Sequence, residues 1–295
     1  MSDDISQPID MLSTTTGAHY YWQSHWDRLV DLFGRNEFCM GFGGTFILTF
    51  TVYWTVGIVY TIVDVTGKPS FMLKYKIQEL TPAYPISAKL LMQALRQILI
   101  NQIIIGLPFA LLAHHLVSWR GYNLAQLPSF HRAIIELAFF VIVEEIAFYY
   151  SHRLLHNPKI YKYIHKRHHE WQTPIAITAI YCHPIEHIFS NLLPLFLGPF
   201  ILGSHLSTSW AWYTLAIMNT LTDHSGYHLP LLTSPEAHDY HHLKFNENYG
   251  VLGILDRLHG TDTNFRKSKA FQRHRVFYSL RPIKDLYPDE TNKSD

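Results

Sequence analysis

Gly43–Val63 reads GGTFILTFTVYWTVGIVYTIV, 21 positions without a charge. As a helix rising 1.5 Å per residue, such a run covers about 30 Å, the depth of a bilayer's hydrocarbon core. Gln97–Trp119 (QILINQIIIGLPFALLAHHLVSW) is a second window, 23 residues long and closed by Arg96 and Arg120. Ile188–Thr222 is a third, 35 residues long. It is too long for one span, but Gly203-Ser204-His205 supplies a turn that divides it into two. Three such windows in 295 residues favour a polytopic membrane protein over a soluble core. The expected fold is all-α, with about four transmembrane helices and a cytosolic helical cap.

The rest of the composition narrows the field. Lys and Arg number 24 against 23 Asp and Glu, which leaves no basic excess for nucleic acid. Two cysteines, Cys39 and Cys182, cannot build a disulfide framework. Met1–Asp10 is polar and no cleavable signal peptide is expected, so the first span acts as its own insertion signal. With four crossings, residues 1–42, 120–187 and 223–295 share one face and carry 2, 7 and 10 basic residues. The opposite face holds Lys68, Lys74, Lys76, Lys89 and Arg96. The positive-inside rule then places the first set in the cytosol. A re-entrant hairpin at Gly106–Pro108 is the alternative for the second window. The expected division is an N-terminal cytosolic segment (1–42), a first transmembrane pair (43–119), a main domain (120–280, including the pair 188–222) and a polar tail (281–295).

Histidine is the outlier, at 20 residues. Ten of them fall into two matched sets: His152 and His156 followed by His165, His168 and His169, and His224 and His228 followed by His238, His241 and His242. Each set reads H-x3-H and then H-x2-H-H. On a helix, positions i, i+3 and i+4 share a face, so each group can aim its imidazoles at one point. Asn157-Pro158 and Ser234-Pro235 read as N-cap and first-turn proline of the helices carrying the second halves. Ten imidazoles exceed what one ion can use and suit two metals of five ligands each. Imidazole serves iron, zinc, copper and nickel, so spacing leaves the element open.

Neutral ligands leave metal charge uncompensated, which draws attention to nearby acids. Glu145 lies two turns before His152 and is a candidate to orient a ligand ring, with a carboxylate facing a water-filled cavity as the equal alternative. Asp223, Asp239 and Asp256 are weaker candidates. His19, His25, His131, His205, His259 and His274 are isolated and read as surface or interface groups, and His114-His115 as interfacial. His183 and His187 copy a ligand spacing, but the proline after His183 favours a supporting or substrate-gating role. Tyr149, Tyr150, Trp171, Tyr181 and Tyr240 lie near the ligands in sequence, and for each of them ordinary core packing is the better reading.

With these motifs in place, the sequence resembles the membrane fatty acid hydroxylase and sterol desaturase superfamily, and within it the C4-methylsterol oxidase branch. The matching features are His152-Arg-Leu-Leu-His156, the His165-Lys-Arg-His-His-Glu170 that follows, Ala237-His-Asp-Tyr-His-His242, Asn248-Tyr249-Gly250 and Asp256-Arg-Leu-His-Gly-Thr-Asp262. They run from about Glu144 to Asp262, and more loosely back through Lys74-Tyr75-Lys76-Ile77-Gln78. The resemblance implies an O2-dependent non-haem di-iron monooxygenase of the endoplasmic reticulum membrane, with the ten histidines as iron ligands. It implies electrons from NAD(P)H through cytochrome b5 or a cytochrome b5 reductase-type donor. No H-P-G-G haem motif is present, so that donor is a separate partner. The implied reaction is C4-methylsterol oxidation, with fatty-acid or sphingolipid hydroxylation and sterol desaturation as relatives. The family pattern places aspartate where this chain has Glu145. A metal transporter would carry its ligands inside the spans. Here they lie outside, and a metal-binding regulatory protein stands as the other class.

Overall fold

A computed structural model of the chain describes residues 11–78, 86–121 and 124–288. Among the described residues the regular structure is all helical, with no strand and one isolated bridge between Lys76 and Tyr227. In chain order the principal helices are α1 (Met11–Leu32), α2 (Cys39–Thr66), α3 (Ala88–Arg120), α4 (Phe130–Leu155), α5 (Pro184–Leu202), α6 (Leu206–Ser225), α7 (Glu236–Lys244) and α8 (Ile254–His259).

Among the described residues three helices, α2, α3 and α5, are long and apolar enough to cross a membrane. The long third window breaks where the turn signal stands. Gly203, at φ +60°, ends α5, and the His205 ring accepts from Ser207 N at 3.1 Å to start α6. The second window does not reverse at Gly106–Pro108. Residues Ile100–Gly106 form a wider π turn just before Pro108, which absorbs the proline without a hairpin, and Gly106 keeps helical φ of −67°.

Five helices run side by side between two ends of the molecule. At one end Trp26 packs on His205 and Trp210 and donates to Leu124 O, Trp210 donates to Thr45, and the Arg120 guanidinium lies over Phe200. At the other end Lys76 pairs with Asp64 of α2 at 2.6 Å and donates to Ser225 O of α6. The histidine motifs gather there too. Outward-facing Ile47, Ile104, Leu112, Ile135, Ile142 and Leu215 are exposed between the ends, while Trp22, Trp119 and Phe130 at one rim and Phe71 and Tyr163 at the other are exposed aromatics. That is the banding of a chain seated in lipid.

This arrangement corrects the expected sidedness. Helix α4 runs from the far end to the histidine end, although Arg132, Glu136, Glu144 and Glu145 break up its apolar character. It packs so closely on α5 that a Cβ at Gly198 would come within 2.8 Å of the Phe140 ring. Its charges are accommodated: Arg132 pairs with Glu136 at 2.7 Å, and Glu145 binds backbone amides. Counting α4 as a traverse changes the parity. Residues 11–42 and the start of the 120–187 stretch lie at the far end, and the stretch bearing Lys68, Lys74 and Lys76 lies with the histidines. Among the described residues only Arg28, Arg35, Arg120 and Arg132 of the basic side chains belong to the far end.

Candidate metal centre

The end of α4 carries His152 in its last turn and His156 as its C-cap, four residues apart and therefore on one face. Asn157 caps the next turn as its sequence suggests, accepting from Lys159 N at 3.0 Å, but that helix is only Pro158–Tyr161. His165–Glu170 is a separate 3-10 turn rather than its continuation. This tighter winding fans the three rings apart, so His168 points away from the direction shared by His165 and His169. On α7, His238 and His242 share a face and His241 flanks it. Pro235 starts that helix without a side-chain cap.

The result is two groups: His152, His156, His165, His169 and His241 in one, and His168, His224, His238 and His242 in the other, with ligand nitrogens all within 4.8 Å inside each group. The groups adjoin, since the rings of His169 and His242 lie 4.7 Å apart and those of His165 and His168 5.4 Å. Nine of the ten expected residues are thus brought together. His228 is not. Gly226, at φ +68°, ends α6 between His224 and His228 and breaks their i, i+4 relation. The His228 ring instead meets Arg275 O at 3.0 Å and the Phe277 ring.

The donor set fits cations. His152 Nδ1 donates to Tyr249 O at 2.8 Å, His241 Nδ1 to Glu247 O at 2.7 Å, His224 Nδ1 to Thr220 O at 2.8 Å and His165 Nδ1 to Glu186 at 2.8 Å. These bonds fix the tautomer and leave Nε2 as a bare lone pair. Yet the Nε2 atoms face one another at 3.1–3.2 Å in the first group and 2.9–3.4 Å in the second. Lone pairs held that close repel unless a cation sits among them. Nitrogens about 2.1 Å from an ion have neighbours about 3.0 Å apart in an octahedral shell and about 3.4 Å in a tetrahedral one. Burial holds the rings neutral: His156 is pushed down to about 2, by desolvation first and its neighbours' charge second, and His168, His238, His241 and His242 are all well below the usual histidine value for the same reasons.

Glu145 touches no ligand ring. Its buried carboxylate accepts from Val251 N, Leu252 N and Leu255 N at 2.7–3.0 Å. Together with Asp256, which takes Tyr249 N and Gly250 N, it holds the loop whose Tyr249 carbonyl positions His152. Gly250 is required there, because a Cβ would come within 2.9 Å of both carboxylates. Asp239 accepts from Gln78 at 2.7 Å and Asp223 from Asn219. The carboxylate that does hold a ring of the cluster, Glu186 on His165, was missed in the sequence. Its signal was an acid at the start of a charge-free window, one residue before His187.

The remaining candidates settle mostly as packing. Tyr149 is buried against Tyr249 and stacked on His259, Tyr181 donates to Glu170, and Tyr240 packs on Phe265. Tyr161, not singled out in the sequence, lies against His156, His165 and His169. His183 caps the first turn of α5 through Ile185 N, and His205 and His114 are buried rather than on the surface.

Comparison with known proteins agrees with this geometry. Residues 137–261 match the family model described as Fatty acid hydroxylase. The chain is 45% identical over 277 residues to Fatty acid hydroxylase domain-containing protein 2 of Homo sapiens, covering 94% of this chain and 83% of that one. It is 36% identical to Fatty acid hydroxylase ahd1 of Mycosarcoma maydis over 75% of this chain and 58% of the relative. It is 31% identical to Methylsterol monooxygenase 2-2 of Arabidopsis thaliana over 85% and 96%. No solved structure matches.

Proposed function

This chain belongs to the fatty acid hydroxylase family of membrane oxygenases, and from that premise we propose that it is a di-iron monooxygenase that oxidises the C4 methyl group of a sterol. The observation that carries the metal chemistry is the pair of adjoining imidazole groups, five rings and four, with lone pairs converging at about 3 Å. The relative named for methylsterol oxidation, aligned over nearly its whole length, supports the choice of substrate.

In this reading His152, His156, His165, His169 and His241 hold one iron and His168, His224, His238 and His242 the other. His228, four residues past His224, belongs to the expected set but is turned away by Gly226. Reduced iron supplies the activation of O2 needed to break an unactivated C–H bond. The balance is one lipid C–H, one O2, two electrons and two protons giving one alcohol and one water. Three successive rounds would take a methyl through alcohol and aldehyde to carboxylate.

The chain's own residues perform the preparatory work. Glu186 and the Glu247 and Tyr249 carbonyls lock the ring tautomers, and burial keeps those rings unprotonated. The surrounding helices exclude bulk water. The strong bias of Lys and Arg toward the histidine end favours that end as the cytosolic one, in the endoplasmic reticulum membrane. An electron carrier such as cytochrome b5, drawing on NAD(P)H, can reach it there. The test is anaerobic purification with metal analysis, followed by turnover of a C4-methylsterol with a reconstituted reductase. Two irons per chain and a C4-oxidised product are expected. A single metal, or turnover of fatty acid in place of sterol, would refute the reading.

A further inference from the structure

A chamber of about 230 Å³ lies among α2, α3, α5 and α6 on the membrane side of the metal centre. Its walls are apolar, with Phe50, Phe109, Phe196 and Ile217 among them. None of the ten histidines lines it, but His187 does, and its sequence neighbour Glu186 holds His165. The Glu186–His187 step is therefore a wall shared by the chamber and the metal centre.

The polar groups in this wall have defined and complementary roles. His187, 4% exposed, has its Nδ1 3.3 Å from the Asn191 amide nitrogen, which donates to it. The imidazole proton is thereby on Nε2, which makes His187 a donor. Gln102 Oε1 accepts from Trp54 Nε1 at 2.8 Å, leaving its NH2 as a second donor. Asn191 spends its NH2 on His187 and Cys182, leaving Oδ1 as an acceptor. Asn101 and Asn191 both reach Cys182, so α3 and α5 meet at this level and bring Gln102 to the same stretch of wall. Among the described residues, none of these three remaining groups has a protein partner. Tyr53 also lines the chamber, but its hydroxyl is committed to Ile177 O at 2.6 Å.

Two donors and one acceptor match a hydroxyl, which accepts through its lone pairs and donates once. They do not match a carboxylate or phosphate, which can only accept and would face Asn191 Oδ1. Among the described residues, the one cationic side chain lining the chamber, Arg120, belongs to the far end. We propose that this chamber binds the hydroxyl-bearing end of a neutral lipid alcohol, a sterol, with His187, Gln102 and Asn191 as its specificity-determining residues. The proposal deepens the function given above, from which it takes the lipid substrate. It adds an orientation: a hydroxyl held at His187 leaves the carbons beside it as those nearest the wall shared with the metal centre.

The test uses the full-length, metal-loaded protein in nanodiscs and the fluorescent sterol dehydroergosterol, with energy transfer from tryptophan as readout. Losing one hydrogen bond and leaving its partner unpaired weakens binding by about tenfold. His187→Leu and Asn191→Leu are each expected to bind about tenfold more weakly, and His187→Gln, which keeps a donor, to recover most of that loss. The 3-O-acetate of the probe, unable to donate, should bind wild type about tenfold more weakly. The acetate arm reads the site in unmutated protein, should a variant fold poorly. Equal binding of alcohol and acetate by wild type, or displacement by palmitate as effective as by sterol, would overturn the proposal. Metal content and turnover are measured on the same samples. Sterol binding that depends on His187 in a protein without iron or turnover would sink the oxygenase reading and leave the site standing. Turnover with binding indifferent to His187 would do the reverse.

Discussion

Replacing Glu186 tests whether a single carboxylate sets the strength of the first imidazole group. Its Oε1 lies 2.8 Å from His165 Nδ1, and the two side chains are 4% and 2% exposed. A hydrogen bond to a charged acceptor contributes roughly 1.5–3 kcal/mol, and a neutral one roughly 0.5–1.5. Glu186→Gln keeps an acceptor but not the charge, so about 1–1.5 kcal/mol is lost, close to tenfold in metal affinity. Glu186→Leu removes the acceptor and frees the ring to rotate, and about 100-fold is expected, the upper end for the loss of a group that orients a metal ligand. The assay is chelator competition on iron-loaded protein followed by metal analysis, with thermal unfolding as the control for folding. The iron of the first group should leave Glu186→Gln at about tenfold less chelator than in wild type. Release of both equivalents from both variants at the wild-type chelator concentration would refute the reasoning.

Other expectations follow from the same geometry. Glu145→Gln keeps at most two of three backbone acceptances and turns an NH2 toward a buried amide. It should lower stability by about 2–3 kcal/mol, read as faster hydrogen exchange at residues 250–255, and unchanged exchange there would count against the loop-holding role. His168→Ala should abolish turnover while His131→Ala, on the exposed start of α4, leaves it nearly intact; an active His168→Ala at normal expression would remove it from the metal set. In metal-free protein the buried imidazoles resist protonation that the unfolded chain accepts near pH 6.5. Stability should therefore be full above that pH and fall steadily below it toward the low folded values, about 2 for His156, so a melting temperature flat from pH 7 to 5 would contradict the burial argument. Tags at the two termini should be protected from added protease on opposite sides of sealed vesicles, with Asn292 unglycosylated; tags cleaved together would restore an even number of crossings.

The windows and the histidine spacing were legible because each rests on local periodicity. An apolar run declares its own length, and i, i+4 pairs declare a face. Helix α4 was not legible as a traverse, because four charged residues interrupt its apolar run and the amides that hold Glu145 lie more than 100 residues away. The sidedness error followed from that one omission. The division of His168 from His169 depended on 3-10 winding, which the Asn-Pro start does not announce. His228 illustrates the opposite case, since Gly226 stood in the sequence as a helix-ending signal between two histidines whose spacing alone suggested a pair. Glu186 was hidden by its neighbours, as His183 and His187 drew the reading to themselves.

The short segment from Tyr75 to Gln78 lies outside the residues matched to the family, yet the centre leans on it. Tyr75 O accepts from His228 N, Ile77 N donates to Gly226 O, and Gln78 reaches Asp239. Its partners are synthesised late, with Lys76 and Ser225 separated by 149 positions. At 5–20 residues per second a ribosome needs roughly 7–30 s to cover that distance. Through that interval Lys76 has Asp64, only 12 positions before it, as its companion, so a charge destined for burial need not wait alone at the membrane surface. A nascent chain halted before residue 225 holds this local pair but nothing for it to clasp, and the excised histidine region would lack the clasp altogether.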